Sequence, residues 1–181
     1  MIKKRQQFIP TLCIFILSAI LLFSGCNQQN EKEEVKKAIT TFFSAYKKDS
    51  YREIDRRLFS DKLATLLDQA TEREKEEVQI VLDSDYPTDK PFMLDFDIFT
   101  SMVEGADSIR VLQISIIADT ARVNVSFANT LYNNTIEWND QLILIKEKDW
   151  KLENVLYGEE NMEFKSLQDL LVNYIHADNV F

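Results

Sequence analysis

The period of the hydrophobic pattern changes once, at Tyr86-Pro87-Thr88-Asp89-Lys90-Pro91, and that change restricts the chain to one order of elements. Two prolines four apart remove backbone donors and turn their predecessors away from helical geometry, so the segment predicts a loop. Before it, Val35, Ile39, Phe42, Phe43 and Tyr46 recur at helical spacing and predict a helix over 31–48, with Asn30 and Glu33 placed as a capping box. Ser50 and Glu53 repeat that spacing and open a short helix with Tyr51, Ile54 and Leu58 inward. A third helix over about 60–83 buries Leu63, Leu66, Leu67, Ala70, Val78, Val81 and Leu82, and the charged stretch Glu72 to Glu77 reads as its solvated face.

After the prolines the period is two. Ile109 to Ile117 predicts an apolar strand, Asp119-Thr120 a turn, and Ala121, Val123, Val125 and Phe127 alternate with Arg122, Asn124, Ser126 and Ala128 in a half-buried strand. Val123, Val125 and Phe127 are expected to face the helices, and Arg122, Asn124 and Ser126 to face water or a partner. A second hairpin pairs Ile136 to Ile145 with Trp150 to Tyr157, and Asn133-Asn134 marks the turn between the hairpins. Leu167, Leu170, Leu171, Tyr174 and Ile175 define a last amphipathic helix. The expected class is α+β: three N-terminal helices packed on a curved antiparallel sheet, plus a C-terminal helix.

Composition narrows the chemistry. The chain has 181 residues, 45% hydrophobic and 28% charged, which suits one globular core and excludes a disordered or collagen-like chain. Lys and Arg total 21 against 30 Asp and Glu, and a net charge of −9 opposes a nucleic-acid partner bound through a basic face. Gly25, Gly105 and Gly158 are too scattered to cradle a phosphate.

The first 26 residues carry an address. Lys3, Lys4 and Arg5 precede the apolar run Leu12 to Phe23, which is shorter than the roughly 20 residues of a membrane span. Leu22-Phe23-Ser24-Gly25-Cys26 resembles the lipobox of bacterial lipoproteins, although Phe23 stands where Leu is usual. That resemblance implies a signal peptide over 1–25, cleavage between Gly25 and Cys26, and acylation, palmitate included, of Cys26. The membrane partner would be reached through these chains alone, since each buried methylene contributes about 0.8 kcal/mol. Asn27 to Asn30 would form a short tether of about 14 Å at most, leaving one domain over 31–181. Cys13 would leave with the signal and the Cys26 sulfur would be consumed, so neither disulfide nor thiolate chemistry is expected. The localisation implied is the bacterial cell envelope, periplasm-facing or surface-exposed; Lys32-Glu33-Glu34 is similar to acidic signals that route some lipoproteins to the surface.

The order of three helices, a loop, long hairpins and the strand Asp149-Trp150-Lys151-Leu152-Glu153-Asn154-Val155 resembles the cone-shaped nuclear transport factor 2-like superfamily, which includes ketosteroid isomerases and polyketide cyclases. More narrowly, Tyr86 to Phe92, Asp97-Ile98-Phe99-Thr100-Ser101, Glu104-Gly105 and the strands of Trp138, Asp140 and Trp150 are similar to domain of unknown function 3828, over about 86–157. Only the fold is implied by either resemblance; no catalytic residue is carried over.

Candidate sites follow from residue chemistry. Asp83, Asp85, Asp89, Asp95 and Asp97 form an acidic run, but Pro87 occupies a ligand position of a calcium loop and Leu94 that of its bidentate Glu, so no metal site is assigned. His176 is the only histidine and reads as an exposed helix-end cation. No cofactor is expected. Asp95, Asp97 and Glu104 are the nearest candidates for a general base inside a cone, and Asp97 equally suits a role satisfying backbone donors at a strand start. Trp138 and Trp150 are candidates for lining a ligand pocket, with core packing as the alternative. Tyr174, Ile175, Val180 and Phe181 read as a core, homodimer or envelope-protein docking element. The reading that results is a lipid-anchored binding or accessory domain without enzymatic activity; the alternative is a small isomerase- or cyclase-like enzyme moving protons on an apolar carbonyl compound.

Overall fold

The computed structural model describes residues 10–46, 51–131, 134–158 and 163–177, with side chains from residue 28 onward except that of Leu131. Lys3 to Arg5, Ser50, Asn133, Val180, Phe181 and the side chain of Cys26 lie outside what is described. The chain divides into two units, Met1–Glu34 and Val35–Phe181. Residues 10–34 belong to helix α1 (Pro10–Ala45). No helix starts at Asn30, the expected cap, because α1 runs on through it; a stretch rich in Gln, Glu and Lys has the propensity to propagate a helix. Among the described residues no helix is long and apolar enough to cross a membrane.

The second unit is an α+β domain. Its helical part comprises the end of α1, a single 3-10 turn Arg56–Leu58 and α2 (Asp61–Leu82). The short second helix is thus reduced to one turn, because Asp55 caps Arg57 N at 2.9 Å and Phe59 is extended immediately after Leu58. Ser60 then caps α2 through Leu63 N at 3.1 Å. The sheet is a four-stranded meander, β1 (Ser108–Ile117), β2 (Thr120–Leu131), β3 (Asn134–Lys146) and β4 (Trp150–Leu156), in the order β1-β2-β3-β4. Beyond the two expected hairpins, β2 and β3 also pair, from Thr120 opposite Ile145 to Leu131 opposite Asn134, and Asn134, expected in the turn between them, already opens β3. α3 (Leu167–His176) closes the chain, with Ser166 capping Asp169 N at 3.2 Å.

Alternation puts Ala121, Val123, Val125 and Phe127 on the inner face, all fully buried. Val35, Ile39 and Phe42 of α1 join Phe59, Leu63, Leu67 and Phe99 in the same core. Phe42 meets Phe59 and Phe99 edge-on at 5.7 and 5.0 Å, and Phe43 meets Phe127 at 5.6 Å. Each such ring contributes about 1.5–3 kcal/mol by leaving water. The buried Leu167, Leu170, Leu171 and Tyr174 make the apolar face of α3 part of this core.

Two expectations for solvated positions are corrected. Ser126 is only 6% exposed, because it is small and sits on a middle strand opposite the longer Arg110 and Asn139. The charged stretch of α2 is a solvated face only in part: Glu72, Lys75 and Glu76 are exposed, but Glu74 and Glu77 are buried. Arg52 clamps Glu74 with both its Nε and its Nη2, the latter at 2.7 Å, and Arg73 holds Glu77 at 2.7 Å. Each carboxylate is thereby paired as it leaves water.

Candidate functional site

Asp97 is the centre of the one candidate site that sequence and geometry share. It is 3% exposed, and its Oδ1 accepts from Tyr46 Oη at 2.6 Å, Phe99 N at 3.0 Å and Thr100 N at 3.2 Å. The two backbone bonds form an Asx turn, the local geometry Asp favours at a chain reversal. Burial pushes the Asp97 carboxyl above its ordinary value, opposed by the Tyr46 hydroxyl and by the donors of Phe99 and Thr100. The Thr100 hydroxyl lies close enough to favour the ionised form, yet it completes no hydrogen bond of good geometry and is buried.

The loop that carries Asp97 is fixed from all sides. Asp97 N donates to Met102 O at 3.1 Å, and Gly105 N to the same carbonyl at 3.2 Å. Trp138 Nε1 donates to Thr100 O, Asn129 Nδ2 to Gly105 O and Tyr157 Oη to Ile98 O, each at 2.7 Å. Ser101, in the left-handed region at φ 53°, donates its hydroxyl to the buried Asp140 at 2.7 Å. Gly105 is left-handed too, at φ 72°, and a Cβ there would stand 2.6 Å from Asp97 Oδ2. Only glycine both takes that conformation freely and leaves room for the carboxylate.

A cleft of about 490 Å³ opens beside Asp97, between the last turns of α1, the 97–108 loop and the inner face of β1 and β2. Its walls are apolar at Ile39, Phe43, Ile109, Val111 and Phe127, and polar at Tyr46, Asp97, Thr100, Glu104 and Asp107. This arrangement can enclose a small apolar body while a few fixed polar groups orient it.

The other candidates separate from this site. Glu104 is exposed and lines the cleft, so it stands at the mouth. Asp95 is exposed, pairs with Lys90 at 2.5 Å and does not line the cleft. Trp138 packs on Phe127 at 5.7 Å as a core residue, and Trp150 lies buried under the Lys146 ammonium at 5.4 Å. Neither indole lines the cleft. Asp83, Asp85 and Asp89 are exposed, and among the described residues no group of three His, Cys, Asp or Glu is arranged to hold a metal ion. His176 is exposed at the end of α3. Sequence reasoning missed Tyr46 as the partner of Asp97, because it lies on the same helical face as Phe42 and reads as core; a hydroxyl at the end of an apolar stripe was the available signal.

No protein-family model, curated protein or solved structure matches the chain.

Proposed function

We propose that this chain is a bacterial lipoprotein, held in the cell envelope through acylated Cys26, whose domain binds a small, largely apolar ligand without catalysing a reaction. The cleft beside Asp97 carries the binding part of this reading. Its volume falls in the range of about 300–1,000 Å³ typical of small-molecule sites, and its apolar walls converge on a buried carboxyl and a tyrosine hydroxyl. The anchor rests on the lipobox at Leu22 to Cys26. A cone-like packing of helices on a curved sheet is consistent with the β-bulges at Val111/Gln113 and Ile143/Leu144, since bulges bend the strands that carry them.

Binding is favoured over proton transfer because Asp97 is already engaged. Its Oδ1 accepts three hydrogen bonds and its Oδ2 is confined by Gly105, which suits a fixed recognition and loop-organising group better than a mobile base. The second reading, a proton-transferring enzyme on an apolar carbonyl compound, draws on the raised affinity of the buried Asp97 for a proton.

The test uses N-phenyl-1-naphthylamine, a neutral apolar fluorophore, titrated into the purified domain and into Val111→Trp, which fills the cleft. Saturable enhancement with the native domain and its loss in the folded variant are expected. Equal fluorescence from both would remove the cleft as a binding site.

A further inference from the structure

Among the described residues that line the cleft the charges are one-sided, and that selects among apolar ligands. Its described lining includes Asp97, Glu104 and Asp107 and no basic residue. The last turn of α1 adds to the same sign: Thr40, Phe43 and Ser44 line the cleft just before the helix ends at Ala45, and the unpaired carbonyls of a helix C-terminus carry a partial negative charge. Asp107 makes no ion pair among the described residues; its Oδ2 accepts from Thr130 N at 2.7 Å, and Asp107 N donates to Ala128 O at 2.9 Å, which fixes it against β2.

Resting on the binding role given to this cleft, we propose that its ligand is a cationic amphiphile: an apolar body against Phe43, Ile109, Val111 and Phe127, and an amine or quaternary ammonium head facing Glu104 and Asp107. A carboxylate or phosphate head is disfavoured, because the charged groups among the described lining residues, and the helix end, repel it. Fatty acids and anionic lipids are therefore poor ligands despite the apolar walls.

Displacement of bound N-phenyl-1-naphthylamine separates the alternatives, using dodecylamine, dodecanol and dodecanoate below their micelle concentrations at low salt. Dodecylamine is expected to displace the probe at about tenfold lower concentration than dodecanol, with dodecanoate weakest. Glu104→Lys, at an exposed position, is expected to fold normally and to abolish or invert that order, each competitor being read against the variant's own affinity for the neutral probe. The Val111→Trp variant controls for attraction of amines to the acidic surface: direct binding of dodecylamine, measured by calorimetry, should be lost in it. Equal displacement by dodecylamine and dodecanoate, or an order unchanged in Glu104→Lys, would overturn the cationic preference while leaving the cleft as a binding site. Failure of the native domain to bind the neutral probe would overturn both.

Discussion

Asp97 was legible in the sequence as a carboxylate with two uses, and the structure shows how one residue meets the backbone use. Its environment was not legible, because Tyr46 and Gly105 reach it from distant or φ-dependent positions that no local pattern encodes. Replacing Gly105 by Ala would place a methyl 2.6 Å from Asp97 Oδ2 at a positive φ. The expected cost is about 1–3 kcal/mol, read as a melting temperature lowered by several degrees in calorimetry. Asp97→Asn keeps the oxygen that Tyr46, Phe99 and Thr100 address, so it is expected to fold. The native carboxyl binds its proton more tightly folded than unfolded, so the folded state holds more protons and loses stability as pH rises from the ordinary value of 3.8 through the raised one. Denaturant titrations across that window should show the native protein declining relative to Asp97→Asn; parallel curves would refute the burial effect.

Strands and helix faces were legible where one period dominated, as in β2, and illegible where charge and burial disagreed, as in α2. Glu74 and Glu77 look solvated because acidic residues rarely enter cores, and only the arrival of Arg52 and Arg73 makes their burial affordable. Arg73→Met leaves Glu77 buried and unpaired and is expected to cost about 3–5 kcal/mol in urea unfolding, whereas Arg73→Met with Glu77→Leu should recover much of that loss. On β2, Val125→Asp would put a carboxylate among Val123, Phe127 and Leu142 and is expected to cost more than about 3 kcal/mol. Its neighbour Asn124 is half-buried on the opposite face and accepts from Gln141 Nε2 at 2.8 Å, a bond that Asp can keep. Asn124→Asp should change stability by less than about 0.5 kcal/mol, and equal tolerance of the two substitutions would contradict the register.

For the whole molecule, the switch of period at Pro87 and Pro91 was sufficient to order helices before sheet, and the class follows from that order alone. The pairing of β2 with β3 was not spelled out by it, because the turn at Asn133-Asn134 fixes the order of the strands but not which of them lie side by side. The lipid anchor proposed for the N-terminus has its own test: Cys26→Ala is expected to lose labelling by radioactive palmitate and to leave the membrane fraction, while undiminished label would refute the anchor. A lipid anchor would also crowd copies of the domain into two dimensions, where the ends of the sheet matter. β4 is shielded, since Ser60 N donates to Leu152 O at 2.9 Å and Leu156 bridges to Ser166. β1 is the other edge, and there Leu112 interrupts the ladder between Val111 and Gln113 with its side chain 51% exposed. An approaching strand could not keep step across that extra residue, so the irregularity that bends the sheet also works against neighbours joining edge to edge into fibrils.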